Sequence, residues 1–192
     1  MQADIERVLI DRETIAKRID AVAARIAADL AAEQAVGDDA LEITIVPILT
    51  GSIIFLADLI RRLPVRMQIH LLSISSYPGR ATTTRGATVR EALTSLPESL
   101  AGAHVLVVDD ILDSGNTLRL VTDLLAQRRP ATLRTCVLLR KDRPAARAFE
   151  VEYVCFDIPD AFVVGFGLDY NDYYRNLPDI VTLRPAVLSE HA

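Results

Sequence analysis

One segment of the sequence constrains the fold more than any other. An apolar strand at residues 104–109 passes through an acidic turn into a helix at residues 115–127. The same order recurs earlier, where a β-branched strand at residues 41–49 leads through Thr50-Gly51-Ser52 into a helix that runs to about residue 63. Strands that alternate with helices predict a mainly parallel sheet with helices on both faces. Ligands of such sheets bind beyond the carboxyl ends of the strands, so the residues that follow each strand are the candidate functional residues.

The other predicted elements agree with this α/β class of fold. Apolar residues recur at spacings of three and four from residue 11 to residue 33, which predicts an amphipathic helix with Asp11 as its N-cap. Further strands are predicted at residues 65–74, 89–93, 132–139, 151–156, 162–166 and 180–183. Residues 75–88 are polar and lack any periodicity, and a loop of that length in a compact domain is usually functional or disordered.

Length and charge limit the classes of function. The 192 residues are 51% hydrophobic and 24% charged, which is typical of one globular domain spanning residues 1–192. A net charge of -5 argues against a nucleic-acid partner. Charged residues interrupt the first eleven positions, and the apolar stretch near residues 53–60 is too short to cross a bilayer, so we expect a soluble, cytoplasmic protein with no membrane partner. Cys136 and Cys155 lie in apolar, strand-like runs and are expected to be buried, reduced thiols.

The acidic turn combines the groups that a sugar phosphate requires. A turn at residues 113–117 places backbone N–H groups at a helix N-terminus, where they bind phosphate. Gly115 is expected to let the backbone approach the ligand. The carboxylates of Asp109 and Asp110 can accept hydrogen bonds from sugar hydroxyls or bind Mg²⁺. A simple turn with an aspartate N-cap is the alternative, but it needs only one acid, and three carboxylates within five residues repel one another. The turn is not a Walker loop, because the Gly-Lys-Ser/Thr ending is missing.

The run Val-Val-Asp-Asp-Ile-Leu-Asp-Ser-Gly-Asn-Thr at residues 107–117 resembles the phosphoribosyl pyrophosphate loop of type I phosphoribosyltransferases. The acid at Asp113 is typical of the hypoxanthine-guanine branch of that family. The resemblance implies that Asp113 lies near N7 of a purine as the general base or acid, a role that fits the proton a purine loses when it forms a glycosidic bond. It also implies that phosphoribosyl pyrophosphate is bound by Asp109, Asp110, Asp113, Ser114, Gly115, Asn116 and Thr117. The ribose hydroxyls would bind Asp109 and Asp110, and the 5′-phosphate would bind residues 113–117.

Two later stretches resemble the same branch. Val-Leu-Leu-Arg-Lys at residues 137–141 ends a strand with Lys141, which by resemblance donates to the exocyclic oxygen of a 6-oxopurine. Residues 158–178 are similar to the purine-binding segment of the family nearly residue for residue. By this resemblance Phe162 stacks on the purine, the backbone of Val163 bonds its edge, Asp169 holds Mg²⁺ and Arg175 contacts pyrophosphate.

The resemblance covers about residues 5–185 and implies the arrangement of the whole molecule. The fold would be a single-domain type I phosphoribosyltransferase fold with a core at about residues 36–155. A small hood over the purine site would come from about residues 1–10 and 156–185, and a mobile lid from about residues 75–90. The enzyme would use two Mg²⁺ ions per site, with Mn²⁺ as a substitute and with Asp109, Asp110 and Asp169 as metal ligands. A homodimer or homotetramer is also implied.

Two loops depart from the family pattern or match it only in part. In the pyrophosphate-binding loop, Thr50 stands before Gly51 where relatives often have a lysine or arginine, so this chain would hold pyrophosphate with one cation fewer. Ser76-Tyr77 matches the start of the family's lid, but the residues that follow differ in detail.

Two alternative functions stay open at this point. One is a regulatory protein that keeps the fold to sense phosphoribosyl pyrophosphate without chemistry; the retained acids, the retained Lys141 and the acidic charge argue against it. The other is a transferase for adenine or a pyrimidine, against which Lys141 and residues 162–178 argue. Hypoxanthine, guanine and xanthine all carry the 6-oxo group, so the sequence does not rank them.

Overall fold

The computed structural model describes residues 1–34, 42–73 and 96–189. A 3₁₀ turn, Gln2–Asp4, precedes the first strand. The strands are β1 (Ile5–Ile10), β2 (Glu42–Leu49), β3 (Arg66–Ile69), β4 (Leu72–Ser73), β5 (His104–Leu112), β6 (Thr132–Lys141), β7 (Tyr153–Ile158) and β8 (Ile180–Leu183). The helices are α1 (Arg12–Gln34), α2 (Ile53–Ile60), α3 (Asn116–Ala126), α4 (Pro144–Arg147) and α5 (Pro185–Ser189).

The central sheet is parallel and has the order β3-β2-β5-β6-β7, and the short strand β4 also pairs with β2. From β2 the chain crosses to β3 on one side, whereas from β5 it crosses to β6 on the other side. The topological switch point therefore lies between β2 and β5, and a ligand site is expected at the carboxyl ends of these two strands.

Apolar side chains pack against both faces of the sheet. On one face, α1 and α2 bury residues such as Ile19, Ile26 and Phe55 against β2, β5 and β6. On the other face, α3 buries Leu118 and Val121 against the same strands. The backbone N–H of Thr14 donates to Oδ1 of Asp11 at 2.9 Å, which confirms the predicted N-cap of α1. These two layers explain why the central strands are apolar along nearly their whole length.

A second, antiparallel sheet joins the two ends of the described chain. β1 pairs with β8, and the cluster beneath them includes Val164, Leu177 and Val181. The predicted fold class, a mainly parallel sheet flanked by helices, is confirmed. The chain ends, which were expected to form a small hood, form this antiparallel pair of strands. Across the described ranges, no helix has the length and apolar character needed to span a membrane.

Some predicted elements differ from the structure. Residues 162–166 do not form a strand: Val164 makes one isolated bridge to Val181, and Phe166 has a positive φ of 51°, which an extended strand does not allow. The strand predicted at residues 65–74 is divided into β3 and β4, and β1 was not predicted. The strand predicted at residues 89–93 lies outside the described residues.

Candidate active site

The pyrophosphate-type loop after β2 packs directly against β5 and against the C-terminal part of the chain. A methyl group added at Gly51 would lie 1.7 Å from Oδ2 of Asp110, and one added at Gly167 would lie 2.2 Å from the carbonyl oxygen of Gly51. A side chain at Gly167 would collide with backbone, and one at Gly51 would require the Asp110 carboxylate to move. The peptide bond between Leu49 and Thr50 is cis, and Thr50 is exposed. The fold thus brings Gly51 and Asp110 together, and Thr50 precedes Gly51 in the same loop.

Asp109 and Asp110 lie within β5 rather than after it, because β5 continues to Leu112 along β6. The Asp109 side chain is buried, and its Oδ1 accepts the backbone N–H of Asp110 at 3.0 Å. Burial, together with the charge of Asp110, raises the pKa of Asp109 well above its usual range. Burial also raises the pKa of Asp110. Hydroxyl donors or a cation supplied by a ligand would relieve this repulsion.

Gly115 forms the N-cap of α3 and has a φ of +78°. A side chain there would be strained, and its Cβ would lie 3.3 Å from Cβ of Phe149. The structure therefore explains this glycine by its left-handed backbone and its packing on Phe149, whereas the sequence suggested close approach of a ligand. Ser114 Oγ accepts the backbone N–H of Asn116 at 3.4 Å and so tightens the turn.

A pocket of about 60 Å³ opens at this helix N-terminus. The first N–H groups of a helix have no acceptor within the helix, and the helix dipole favours an anion there. The pocket is therefore suited to a phosphate-sized anion, although Asp109 and Asp113 also border it. It is lined by Asp109, Ile111, Leu112, Asp113, Ser114, Gly115, Thr117 and Leu118.

Lys141 and Asp113 meet across the ends of β6 and β5. The Lys141 side chain is only 11% exposed, and its Nζ lies 3.0 Å from Oδ2 of Asp113. Desolvation favours the protonated form of Asp113, but hydrogen bonds from Lys141 and Arg143 outweigh it and lower the pKa of Asp113. Asp113 is consequently a carboxylate at neutral pH, which is the form that a general base requires.

Two further charged residues, Arg143 and Asp160, belong to this site and were missed by the sequence analysis. Arg143 donates to Oδ1 of Asp113, and its Nε lies 2.9 Å from Oδ2 of Asp160. The sequence does contain a signal for Arg143, namely Pro144. The residue before a proline is held extended, so the side chain two positions after Lys141 projects to the same edge of the sheet as the lysine. Asp160 carries no comparable signal.

The predicted purine residues lie in an irregular segment after β7. Phe162 is 45% exposed, and its ring meets that of Tyr170 edge-to-face with centroids 5.5 Å apart. Val163 is buried in the core, so its side chain is structural and only its backbone is available for a ligand. A large aromatic ring that stays half exposed beside the strand ends offers a face on which a planar base can stack.

Asp169 and Arg175 form an ion pair, which the sequence analysis did not anticipate. Nη2 of Arg175 lies 2.8 Å from Oδ1 of Asp169 and 3.1 Å from Oδ1 of Asp172. Nη1 of Arg175 donates to the carbonyl oxygen of Gly167 at 2.9 Å. Because Gly167 abuts Gly51, this pair lies next to the loop after β2.

The described part of the chain contains no group of three or more His, Cys, Asp or Glu side chains placed to hold a metal ion. Asp109, Asp110 and Asp169 thus do not form a preformed three-carboxylate cage. Magnesium in phosphate-binding enzymes commonly uses one or two carboxylates together with the substrate phosphates, and these acids fit that mode. The predicted lid residues Ser76 and Tyr77 lie outside the described residues.

Comparison with known proteins identifies the family of this chain. Residues 12–171 match the model of the family described as phosphoribosyl transferase domain. The chain is 42% identical over 185 residues to the hypoxanthine-guanine phosphoribosyltransferase of Mycobacterium tuberculosis, covering 96% of this chain and 89% of the relative. It is 34% identical over 191 residues to the enzyme of the same name from Streptococcus pneumoniae, covering 98% and 99%.

The fold also matches solved structures of such enzymes. A structure of hypoxanthine phosphoribosyl transferase from Trypanosoma cruzi superposes with a TM-score of 0.85 at 38% identity, covering 98% of this chain and 96% of the other. The matched domain covers most of the chain, and the relatives are more than 30% identical over nearly its full length. The shared fold supports the same family assignment. The chain belongs to the hypoxanthine-guanine phosphoribosyltransferases, within the type I phosphoribosyltransferase family.

Proposed function

We propose that this enzyme transfers the phosphoribosyl group of phosphoribosyl pyrophosphate to a 6-oxopurine such as hypoxanthine or guanine. The products would be pyrophosphate and IMP or GMP, and the reaction would serve purine salvage. The observation that carries the proposal is the pair of Asp113 and Lys141, 3.0 Å apart at the edge of a phosphate-sized pocket. One acceptor beside one charged donor matches the N7–H and O6 groups on one edge of a 6-oxopurine.

The phosphoribosyl part of the substrate would occupy the pocket at α3. The backbone N–H groups of residues 114–117 would hold the 5′-phosphate, with the hydroxyls of Ser114 and Thr117 as additional donors. Asp109 and Asp110 would accept the ribose hydroxyls. Burial raises the pKa of both carboxyls, and the charge of Asp110 raises that of Asp109 further. Hydroxyl donors would stabilise the ionised forms.

The base would bind between the strand ends and the segment after β7. Lys141 would donate to O6 and Asp113 would accept from N7–H, while Phe162 would stack on the ring and the backbone of Val163 would bond its edge. Adenine carries an amino group at position 6. This hydrogen-bond donor would face the ammonium group of Lys141, which is also a donor. This mismatch supports a preference for 6-oxopurines.

In the chemical step, N9 of the purine would bond C1′ while the bond from C1′ to the pyrophosphate oxygen breaks with oxocarbenium-like character. The proton on N7 would pass to Asp113, and the electron pair of the broken bond would leave with pyrophosphate. Backbone N–H groups of Thr50 and Gly51 would hold the leaving group, and Arg175 would contact it. Much of the acceleration would come from holding the two substrates in reacting orientation.

Magnesium is the cofactor that these residues fit. Asp169 and the Asp109–Asp110 pair offer the carboxylate oxygens that Mg²⁺ prefers. Because Thr50 is uncharged, the loop that would hold pyrophosphate has no cationic side chain at this position. When bound, the metal would neutralise charge on pyrophosphate as a Lewis acid, and Mn²⁺ would substitute for it. We propose two such ions per site.

A substrate panel tests the proposal directly. The purified protein would be given phosphoribosyl pyrophosphate with hypoxanthine, guanine, xanthine, adenine or uracil, and nucleotide formation would be followed by chromatography. We expect turnover with hypoxanthine or guanine and little with adenine or uracil. Binding of phosphoribosyl pyrophosphate without turnover of any base would instead support a regulatory protein.

We also propose that the enzyme works in the cytoplasm as a homodimer or homotetramer, in line with its family. Size-exclusion chromatography with light scattering measures the assembly. A monomer at micromolar concentration would contradict this part of the proposal.

A further inference from the structure

Four charged side chains form a closed ring beside the pocket: Asp113, Lys141, Arg143 and Asp160. Nζ of Lys141 lies 3.0 Å from Oδ2 of Asp113 and 3.6 Å from Oδ1 of Asp160. Arg143 donates to Oδ1 of Asp113, and its Nε lies 2.9 Å from Oδ2 of Asp160. Each carboxylate therefore contacts the lysine through one oxygen and the arginine through the other.

Local structure holds Arg143 in this ring. Pro144 begins α4 and keeps Arg143, the N-cap residue, in extended backbone with φ −128° and ψ 144°. The Arg143 N–H donates to the Lys141 carbonyl at 2.9 Å, and the Asp142 N–H donates to the Ile158 carbonyl at 2.8 Å. The turn after β6 is thereby attached to the end of β7, shortly before Asp160 enters the ring.

Unequal burial separates the ring from ordinary surface ion pairs. The Lys141 side chain is 11% exposed, whereas those of Asp113, Arg143 and Asp160 are 41%, 44% and 46% exposed. A buried ammonium group needs carboxylate partners because it has lost water. If a ligand hydrogen-bonds to Oδ2 of Asp113, Lys141 keeps its ion pair with Asp160, and Asp113 keeps its ion pair with Arg143.

We infer that Arg143 and Asp160 are positioning residues that hold Asp113 and Lys141 in the orientation that receives a 6-oxopurine. The inference rests on the proposed function. N7–H and O6 are adjacent on the purine, so the base must replace the direct contact between Oδ2 of Asp113 and Nζ of Lys141. Arg143 fixes the plane of the Asp113 carboxylate through its other oxygen, and Asp160 retains Lys141, so both groups stay aimed at the base while it enters.

The chain offers matched controls for both residues. Arg147 is 42% exposed and pairs with Asp142 and Asp157, and Asp157 is 45% exposed and pairs with Arg140. Among the described residues, no ion pair joins Arg147 or Asp157 to the ring. They lie in the same region of the chain, so they report the cost of losing a surface ion pair there.

The experiment compares the full-length variants Arg143→Ala, Arg143→Lys and Asp160→Asn with the controls Arg147→Ala and Asp157→Asn. For each, kcat, the KM of hypoxanthine, the KM of phosphoribosyl pyrophosphate and the unfolding temperature are measured. We expect Arg143→Ala and Asp160→Asn to lower kcat/KM for hypoxanthine by about ten- to a hundredfold, as loss of alignment does. The KM of phosphoribosyl pyrophosphate should change little, Arg143→Lys should recover part of the loss, and the controls should resemble the wild type.

The possible failures are distinguishable. If the wild type is active and Arg143→Ala behaves like Arg147→Ala, the inference is overturned and the proposed function stays intact. Equal losses for both substrates, accompanied by a lower unfolding temperature, would show a general structural role and would also overturn it. A wild type that forms no nucleotide from hypoxanthine would remove the proposed function, and the inference with it.

Discussion

Replacing Asp113 by asparagine changes the chemistry of the site with little change of shape. In the wild type, Oδ2 of Asp113 lies 3.0 Å from Nζ of Lys141, and Oδ1 accepts from Arg143. Asparagine keeps one acceptor oxygen but presents an amide N–H₂ to one of these cations. It also cannot accept the proton of the purine. The N–H donors at the start of α3 should persist, because they belong to the backbone.

The expected magnitude follows from the geometry. General acid–base catalysis typically contributes about 10²–10⁴-fold, so kcat of Asp113→Asn should fall by a factor in that range. The factor corresponds to roughly 3–5 kcal/mol of activation free energy. The Asp113 side chain is 41% exposed, and the buried Lys141 keeps Asp160 as a partner when the charge of Asp113 is removed. The free energy of unfolding should therefore fall by only about 1 kcal/mol, as for an exposed ion pair. Loss of activity should therefore greatly exceed loss of stability.

Three measurements test this expectation: steady-state kcat with hypoxanthine, the Kd of phosphoribosyl pyrophosphate by calorimetry, and thermal unfolding. The Kd should stay unchanged or decrease, since a negative charge near the phosphate pocket is removed. Asp157→Asn is the control, because Asp157 is similarly exposed and has two arginine partners.

A kcat near that of the wild type would refute Asp113 as the base. Weaker binding of phosphoribosyl pyrophosphate with normal kcat would instead assign Asp113 to ordering the turn before α3.

Four other outcomes are expected. Lys141→Ala should weaken use of 6-oxopurines about ten- to a hundredfold, as loss of a hydrogen bond from a charged donor does, while the Kd of phosphoribosyl pyrophosphate stays nearly constant; equal losses would make the lysine structural. Asp109→Asn should abolish most activity yet raise the free energy of unfolding at pH 7 by about 0.5–2 kcal/mol. The sign follows because burial raises the pKa of Asp109. Above pH ~4 the unfolded chain ionises this carboxyl freely, whereas the folded chain must keep it protonated or bury its charge, and either lowers the free energy of unfolding. The gain should vanish below that pH, where the carboxyl is protonated in both the folded and the unfolded chain. Phe162→Ala should raise the KM of hypoxanthine without changing the unfolding temperature much, because the ring is 45% exposed; an unchanged KM would exclude stacking. Excess chelator should abolish turnover and added Mg²⁺ or Mn²⁺ should restore it, whereas full activity in chelator would contradict the metal roles of Asp109, Asp110 and Asp169.

Regular parts of the fold could be predicted because their signals are local. The spacing of apolar residues in α1 and the side-chain cap at Asp11 depend only on positions three and four apart. The strands β5 and β6 are buried on both faces, so they appear as continuous apolar runs. The strand predicted at residues 162–166 was wrong, because an apolar run can equally line an irregular segment, and Phe166 there has a positive φ.

The sequence by itself determined the class of fold and the position of the acidic turn before α3, since both depend on short contiguous motifs. Tertiary structure alone decided which charges meet. Asp113 and Lys141 are 28 positions apart in the chain, and Asp113 and Arg143 are 30 apart. Their contact exists because β5 and β6 are parallel neighbours that end at the same edge. The ring completed by Asp160 and the pairing of Arg175 with Asp169 depend on where later segments fold back over that edge, and no local pattern encodes such a distance.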